Sequence, residues 1–368
     1  MAKRILLLSS RADYGGGPRH IEMLLEKLKG IYQFHVACPE EPPYWDRFRK
    51  VVGNRMVHLP HRQMTFSSLR TILQYVQDHS IDLIHSHGKG AGLYAKIIKM
   101  LTGKKWIHTP HGIHLDKYNW LTKIFYRFYE NFIFLSPDMV IYVSQEERQK
   151  ALLERIWQRA PFVVIPNGVP IIMPESRKLF RCYGRSLLGL ENQDKVVITF
   201  SRFDYQKNMR EAFLIAQSLP EIIFVWVGDG PERKEFESEI NTKEIKNIKI
   251  ANFYDDPMPL LGGADVYLST SRWEGLPLSI LESMSLGIPI VASNVVGHKE
   301  VVGNNRCGIL YSLGKPEKAV DAIKKMFDNE DIYLLFSNSA FLTQASQYSA
   351  EIMGKGVSKI YQDVLGVF

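Results

Sequence analysis

Cysteine is scarce in this chain of 368 residues, which carries only Cys38, Cys182 and Cys307. An odd number of widely spaced cysteines excludes a disulfide framework and a cysteine-based zinc site, and it fits a reducing compartment. Long hydrophobic runs are also missing, since no apolar stretch approaches the ~18 residues that a membrane-spanning helix needs. The opening MAKRILLLSS has only four consecutive large aliphatic residues, too few for the core of a signal peptide. We therefore expect a cytoplasmic protein without a transmembrane anchor.

Negative charge is short in the first half of the chain. Residues 1–185 contain 28 Lys and Arg against 15 Asp and Glu, a balance of +13, whereas residues 186–368 contain 18 against 24, a balance of −6. This asymmetry suggests that the two halves have different partners, and the basic half could face nucleic acid or an anionic membrane. A chance surface bias is the alternative. Because the basic residues follow no RNA-binding signature, we expect no nucleic-acid partner.

Short apolar strands alternate with helices along the chain, which is typical of βαβ units in a parallel sheet. The pattern begins with a strand at residues 4–9 and restarts with a strand at residues 195–200. Between these strands, residues 166–190 are rich in proline and glycine and mark a junction. We predict an α/β protein of two doubly wound Rossmann-like domains that face each other across a cleft.

A run of three glycines, Gly15, Gly16 and Gly17, lies between the first predicted strand and a helix predicted from about residue 19. Glycines there let a ligand approach the backbone, and the helix N-terminus attracts anions. A tight turn without a ligand is the alternative. A dinucleotide-binding fingerprint needs a further glycine where this chain has His20, so that fingerprint fails.

Histidines follow two predicted strands of the first half, in segments 85–88 and 108–114. This places imidazoles at the carboxyl ends of strands, where α/β proteins bind ligands. No carboxylate or cysteine stands at ligand spacing from them, so we expect contacts to a sugar hydroxyl or a phosphate rather than a catalytic metal ion. Histidines that merely fill space are the alternative.

Charged residues follow two predicted strands of the second half. Arg202 and Lys207 precede a helix start, where two fixed cations can hold a diphosphate and stabilise it as a leaving group. Glu274 lies in a Gly/Pro loop, and Glu282 lies about one and a half turns into the next predicted helix, whose first amides are free to bind phosphate. Solvated surface charges are the alternative at each place.

The order of these motifs resembles glycosyltransferase family 4 over nearly the whole chain. The matching segments are the glycine run, HTPHG at 108–112, IPNGV at 165–169, SRFDYQKN at 201–208, VGDGP at 227–231 and the E-x7-E pair at 274 and 282. The resemblance implies the GT-B fold, with an acceptor-binding domain at 1–170, a nucleotide-sugar-binding domain at 171–350 and a C-terminal helix at 351–368 that crosses back. It also implies retaining transfer of a hexose or N-acetylhexosamine from a UDP- or GDP-type sugar.

The resemblance assigns a role to each matching residue. For catalysis it implies His111, Glu274, Arg202 and Lys207. For donor binding it implies Gly16, Gly17, Arg202, Lys207, Asn252, Phe253, Glu274, Gly275, Leu278, Ser279 and Glu282. For acceptor binding it implies His87, His111 and His114. Met209 stands where the family usually has glycine, which leaves the local turn open.

Asp-x-Asp pairs, with which glycosyltransferases of the other common fold hold a metal ion, do not occur in this sequence. We therefore expect no metal cofactor, because the two cations and a helix dipole can stabilise the leaving diphosphate. The resemblance favours a front-face reaction, in which the departing phosphate takes the acceptor proton, in cell-surface polysaccharide or lipopolysaccharide synthesis. A sugar-nucleotide epimerase of the same fold and a non-catalytic sugar-nucleotide-binding protein are the alternatives.

Two segments of the basic half, 44–50 and 117–134, interleave aromatic and basic residues. Helices of this composition can lie on a membrane interface. We therefore expect peripheral association with an anionic membrane, at the inner face of the plasma membrane, and a glycan or lipid-linked glycan acceptor. Burial of the aromatic residues in a core is the alternative.

Overall fold

The computed structural model of the chain describes residues 2–113, 119–128, 130–131, 136–252, 256–303 and 306–366. The chain forms two compact units, one of Met1–Gly168 with Ala350–Phe368 and the other of Val169–Ser349. The first unit therefore contains both ends of the chain, and the second is inserted between them. Both are α/β units with a parallel sheet, as the sequence predicts.

Within its described residues, the first unit has a seven-stranded parallel sheet in the order β3-β2-β1-β4-β5-β6-β7. Its strands are β1 (Arg4–Ser9), β2 (Gln33–Cys38), β3 (Met56–His58), β4 (Leu83–His87), β5 (Lys105–Thr109), β6 (Met139–Tyr142) and β7 (Phe162–Val164). Successive side chains of a strand point to opposite faces. Ile5 and Leu7 therefore pack into one hydrophobic cluster, and Leu6 and Leu8 into another on the opposite face. The uninterrupted apolar run of β1 reflects burial on both faces.

The helices of the first unit include one from the C-terminal end of the chain. They are α1 (Gly16–Leu28), α2 (Tyr44–Val52), α3 (Phe66–Asp78), α4 (Lys89–Thr102), α5 (Trp120–Phe128), α6 (Gln145–Leu153) and α14 (Ala350–Leu365). Helix α14 packs against α1, and it buries Met353, Val357 and Tyr361 in the same core as β1. The Tyr32 hydroxyl lies 2.9 Å from Ser358 Oγ and adds a polar contact.

The second unit has, among the residues described for it, a six-stranded parallel sheet in the order β10-β9-β8-β11-β12-β13. Its strands are β8 (Val196–Phe200), β9 (Ile223–Val227), β10 (Ile248–Ala251), β11 (Val266–Ser269), β12 (Ile290–Ser293) and β13 (Gly308–Tyr311). Its helices are α7 (Pro174–Leu188), α8 (Met209–Gln217), α9 (Arg233–Thr242), α10 (Met258–Gly262), α11 (Leu278–Ser285), α12 (Pro316–Asp328) and α13 (Glu330–Gln347), with a π-helical turn at Lys299–Gly303. These six strands thus follow the same order as the first six strands, β3 to β6, in the list given for the first unit's sheet.

Two aromatic segments of the first unit differ from each other in the structure. In α2, Tyr44, Phe48 and Val52 are buried in the core, and Arg47 Nη1 lies 3.4 Å from Glu22 Oε1 of α1. The expectation that segment 44–50 offers its aromatic residues to a membrane is therefore wrong, because that face of the helix packs on the sheet. Helix α5, in contrast, buries none of its residues. Among the described residues, no helix combines the length and apolar character needed to cross a bilayer.

Candidate functional site

Both sheets reverse their strand order at one place, and the loops predicted to carry the site lie there. The reversal falls between β1 and β4 in the first unit and between β8 and β11 in the second. In open parallel sheets, ligands bind outside the carboxyl ends of the strands at such a switch point. Arg202 and Lys207 follow β8, and Glu274 follows β11, whereas His87 ends β4 and His111 follows β5. The topology therefore gives each unit a candidate site.

The loops that follow β8 and β11 are joined by hydrogen bonds. Arg272 donates from Nη2 to Asn208 Oδ1 (2.7 Å) and from Nε to the Tyr205 carbonyl oxygen (3.1 Å). The Thr270 hydroxyl donates to the carbonyl oxygen of Lys207 (2.9 Å). These contacts fix the backbone on both sides of Lys207.

An ion pair between Lys207 and Glu274 forms the centre of the second unit's site. Lys207 Nζ lies 2.6 Å from Glu274 Oε1, and the two side chains are only 17% and 9% exposed. The Ser271 hydroxyl donates to the same oxygen at 2.6 Å. Burial by itself would raise the pKa of the Glu274 carboxyl, but the Lys207 ammonium and these hydrogen bonds outweigh burial and hold that pKa below its ordinary value. Glu274 is therefore an ionised carboxylate at neutral pH.

Arg202 and the turn after Lys207 are arranged differently from the buried pair. Arg202 Nη2 lies 2.8 Å from Asp204 Oδ2, and its side chain is 36% exposed. Asn208 takes the left-handed conformation (φ 53°) that asparagine tolerates better than most residues. Helix α8 then begins at Met209, which is buried. The positive φ falls on Asn208, so Met209 needs none of the freedom of the glycine that it replaces.

Helix α11 begins four residues after Glu274, the acidic member of the Lys207–Glu274 ion pair. Leu278 and Ser279 occupy its first turn, where N–H groups have no earlier helical carbonyl to bind and can hold an anion. The Tyr267 hydroxyl lies 2.8 Å from Ser279 Oγ and ties the helix start to β11. Glu282 is buried one turn further along. Because both glutamates are buried, they are not the solvated surface charges that were the alternative.

The glycine-rich segment after β9 packs on the loop after β8. The N–H of Phe203 donates to the carbonyl oxygen of Asp229 (2.9 Å). At Gly230, where φ is +156°, a Cβ would lie 2.4 Å from the Phe203 carbonyl oxygen, so only glycine fits. Asn252 Oδ1, next to the end of β10, accepts from Arg233 Nη1 at 2.6 Å. Phe253, predicted to bind the donor, lies outside the described residues.

The first unit brings its histidines together from three elements. His87 Nδ1 lies 3.0 Å from His111 Nε2. The ring of His20, on α1, meets the ring of His111 edge to face, with 4.7 Å between their centroids. His85 Nδ1 lies 2.6 Å from the Tyr361 hydroxyl of α14. His87 and His111, both predicted to contact the acceptor, are thus neighbours, while His114 falls outside the residues that the structure describes.

Burial keeps these imidazoles uncharged at neutral pH. It lowers the pKa of His20 to about 4. It also lowers the pKa values of His87 and His111 well below the ordinary histidine value, and the neighbouring histidines lower them further. The first unit's site is therefore a set of neutral hydrogen-bonding groups.

Gly16 and Gly17 lie in the first turn of α1, because the helix begins about three residues earlier than the sequence predicts. A Cβ at Gly17 would lie 3.7 Å from His111 Cδ2, whereas one at Gly16 would meet open space. Gly17 thus borders the histidine cluster, and Gly16 leaves the helix N-terminus accessible.

Two family models match the chain and together span most of it. Glycosyltransferase Family 4 matches residues 14–171, and Glycosyl transferases group 1 matches residues 185–342. The chain is a family 4 glycosyltransferase. Its two Rossmann-like units are those of the GT-B fold, which its structural neighbours share.

Several named glycosyltransferases are similar to this one along most of their length. The Escherichia coli protein UDP-Gal:alpha-D-GlcNAc-diphosphoundecaprenol alpha-1,3-galactosyltransferase is 26% identical over 325 residues, which cover 83% of each chain. The Escherichia coli O-antigen biosynthesis glycosyltransferase WbnH is 25% identical and covers 96% of this chain and 100% of its own. The crystal structure of Anabaena Alr3699/HepE in complex with UDP-glucose has a TM-score of 0.84 at 19% identity, over 98% of this chain and 99% of that one.

Sequence reasoning missed Glu147, which shapes the glycosyltransferase's histidine loop. His111 has a left-handed backbone (φ 56°), a conformation that surrounding structure must impose on a non-glycine residue. The buried Glu147 carboxylate accepts from the N–H of Gly112 and from the N–H of Val143 (2.8 Å). The Ser144 hydroxyl caps the N-terminus of helix α6 by accepting a hydrogen bond from the N–H of Glu147. The spacing Ser-x-x-Glu directly after a strand was the signal that could have found it.

His298 is a second residue that sequence reasoning left without a role. At Gly297, where φ is +86°, a Cβ would lie 2.5 Å from the Gly275 carbonyl oxygen, so this loop packs directly on the Glu274 loop. His298 Nδ1 donates to the Ser293 carbonyl oxygen (2.9 Å), which leaves Nε2 to accept from Ser269 Oγ (3.1 Å). Burial lowers the pKa of His298 although the Glu274 carboxylate opposes this. A neutral His298 thus supports the loop that carries Glu274.

Proposed function

We propose that this glycosyltransferase moves a sugar from a UDP-sugar donor to a lipid-linked glycan, with retention of configuration at the anomeric carbon. The reaction would serve the synthesis of a cell-surface polysaccharide or glycolipid. The observation that carries the proposal is the Lys207–Glu274 ion pair, held between the loops after β8 and β11. The names of the Escherichia coli galactosyltransferase and of the Anabaena complex favour UDP over GDP as the nucleotide.

The donor diphosphate meets positive charge from three sources in this proposal. Lys207 and the more exposed Arg202 supply two cations, and the first turn of α11 supplies the N–H groups of Leu278 and Ser279. A diphosphate that binds here competes with Glu274 for the Lys207 ammonium. Glu274 is then free to accept hydrogen bonds from hydroxyls of the donor sugar, and Glu282 from the ribose.

The departing diphosphate gains negative charge in the transition state, so the same cations hold it more tightly there than in the ground state. In the front-face reaction, the bond from the anomeric carbon to the diphosphate breaks while the acceptor oxygen attacks from the same side. The acceptor proton then passes to the departing phosphate oxygen. Glu274 and Glu282 are both engaged in binding the donor in this proposal, which favours this route over a double displacement.

Lys207 and Arg202 also make a metal ion unnecessary for the departure of the diphosphate. We therefore expect transfer to continue after the enzyme and substrates have been treated with excess EDTA. The measurement is product formation with and without chelator, in buffers freed of divalent ions. Loss of activity that Mg²⁺ or Mn²⁺ restores would contradict this part of the proposal.

We propose that helix α5 contacts an anionic membrane. The membrane face would be the cytoplasmic one, where the nucleotide-sugar donor is present. The apolar residues of α5 lie on one face of the helix and are all more than half exposed: Trp120, Leu121, Ile124, Phe125 and Phe128. The other face is anchored, because Lys89 Nζ lies 4.4 Å from the centre of the Tyr126 ring and Arg127 is paired with Glu154 (2.5 Å). The first unit, residues 1–168 with 350–368, has 26 Lys and Arg against 16 Asp and Glu, and this balance of +10 would attract anionic lipid to it.

A donor and acceptor screen tests the proposed activity. The purified chain is incubated with UDP-, GDP- and ADP-sugars, with or without an undecaprenyl-diphosphate-linked sugar. We expect release of UDP and formation of a disaccharide only when the lipid-linked acceptor is present. An epimerised donor sugar without acceptor would support the epimerase instead. Donor binding without any turnover would support the non-catalytic alternative.

A further inference from the structure

We propose that His20, His87 and His111 bind a transition-metal dication of the Zn²⁺ class, at a site that inhibits transfer rather than serving it. Each of the three rings offers one nitrogen, and these nitrogens all lie within 4.8 Å of one another. A tetrahedral zinc ion with bonds of 2.0–2.1 Å needs its nitrogen ligands about 3.4 Å apart. His87 Nδ1 and His111 Nε2 are already 3.0 Å apart, so small ring movements complete the arrangement.

One ring nitrogen that can serve as a ligand is left without a hydrogen bond. His20 Nε2 is buried and has no partner among the described residues. A buried polar atom without a partner costs about 1–3 kcal/mol, and in native proteins it calls for an explanation such as an unseen ion. The opposite nitrogen of His20 lies 2.9 Å from Asn167 Oδ1. If that nitrogen donates, Nε2 presents a bare lone pair to the cluster, as a metal ligand does.

The chemistry of the three rings selects the kind of ion. A site of imidazoles without carboxylates suits Zn²⁺, Co²⁺, Ni²⁺ or Cu²⁺ and not Mg²⁺ or Ca²⁺. His111 is only partly buried, so an ion can reach the cluster from solvent.

Metal binding would replace the contact between His87 and His111 and immobilise His111. Inhibition of transfer rests on the proposed function and on the role in catalysis and acceptor binding that the family resemblance implies for His111. Metal binding itself does not, because it can be measured without donor or acceptor. The two statements can therefore fail separately.

The test is a titration of the tag-free full chain with Co²⁺, followed through its visible absorption, with Zn²⁺ as competitor. We expect one Co²⁺ per chain, displaced by Zn²⁺ and unaffected by Mg²⁺. His20→Gln and His87→Gln should each weaken Co²⁺ binding at least about tenfold. Even the loss of a residue that only hydrogen-bonds to a metal ligand typically lowers metal affinity 10–100-fold. The matched control is His61→Gln, because Asp13, Glu41 and His61 form the other candidate cluster among the described residues.

Thermal unfolding supplies a readout that needs no variant, because an ion that binds only the folded chain raises its melting temperature. We expect Zn²⁺ to raise it and Mg²⁺ not to. No Co²⁺ binding, or binding lost in H61Q but kept in H20Q and H87Q, would overturn the proposal. If the donor screen also detects transfer, Zn²⁺ should inhibit the unaltered chain more strongly than H20Q. Binding with equal inhibition of both would leave the site standing and overturn its inhibitory role.

Discussion

The candidate sites of the two units occupy the same place in the same strand order, but they treat charge in opposite ways. In the second unit the charged groups remain ionised because they are paired, as Lys207 is with Glu274. In the first unit the titratable groups are neutral because they are buried, as the low pKa values of His20, His87 and His111 show. Topology thus determines where a site lies, and the local residues determine whether it suits a diphosphate or a hydroxyl-bearing ligand.

The largest effect should come from removing the central cation of the second unit. Lys207→Ala deletes a charge-assisted contact worth roughly 1.5–3 kcal/mol, so kcat should fall about 10- to 150-fold. Donor affinity should fall too, but less, because phosphate charge grows as the sugar leaves. Steady-state kinetics would measure both parameters.

Lys318→Ala is the matched control for this prediction. Lys318 is also a paired lysine of the second unit, but it and its partner Asp321 are largely exposed. It should keep wild-type kinetics. Unchanged turnover in K207A, or an equal loss in both variants, would contradict the role given to Lys207.

Lowering the pH should reduce the free energy of unfolding of the first unit, because its clustered histidines are buried in the neutral form. The pKa of His20 is about 4 when folded, against 6.5 as the ordinary value, so below pH 6.5 the unfolded chain binds the extra proton. Stability is therefore complete above that pH and is lost as the pH falls toward 4. For His20 alone the loss is about 2 kcal/mol between pH 7 and pH 5.

Urea unfolding at pH 7 and pH 5 would measure this dependence. His20→Gln should be less stable than the unaltered chain at pH 7, yet lose less stability on acidification. Since glutamine does not titrate, this pattern separates a titrating group from a merely structural one. An identical pH dependence in the two proteins would show that His20 is not the group responsible.

The two glutamates of the second unit should have separable effects of about tenfold. Glu274→Gln should lower kcat about tenfold or more without weakening the binding of free UDP, because Glu274 binds the donor sugar and only competes with the diphosphate for Lys207. Glu282→Gln should weaken UDP binding about tenfold, since a hydrogen bond to a charged group is worth about 1.5 kcal/mol. Calorimetry with free UDP distinguishes them, and the reverse pattern would mean that the roles are exchanged.

The fold and the second unit's site were readable from the sequence because their signals are local. The strand at Arg4–Ser9 was predicted with the bounds that the structure shows, and the strand before Arg202 was predicted one residue longer. The E-x7-E spacing placed Glu274 in a loop and Glu282 on a helix, where the structure has them. Each inference used a pattern within about ten residues.

The histidine cluster was not readable in the same way, because its members come from α1, β4 and the loop after β5. His20 entered the sequence analysis only as a residue that breaks a glycine pattern, and nothing near it predicts that it meets His111. Composition also failed to distinguish α2 from α5, since both interleave aromatic and basic residues. The difference depends on which helix packs on the sheet, and that is decided by tertiary contacts.

The smallest expected effect concerns helix α5 of the first unit and its proposed contact with a membrane. Trp120→Ser with Phe125→Ser removes two exposed rings, which are 69% and 65% exposed, so it should lower flotation with anionic vesicles several-fold without destabilising the fold. The matched control is Phe66→Ser, another exposed aromatic residue of the first unit but outside α5. Vesicle binding should weaken with added salt, because screening reduces the reach of the basic residues to ~8 Å at physiological ionic strength. It should not vanish, because the apolar contribution does not depend on charge. If the unaltered chain does not float at low salt, or if F66S lowers flotation as much as the α5 variant, then α5 is not a membrane-contacting surface.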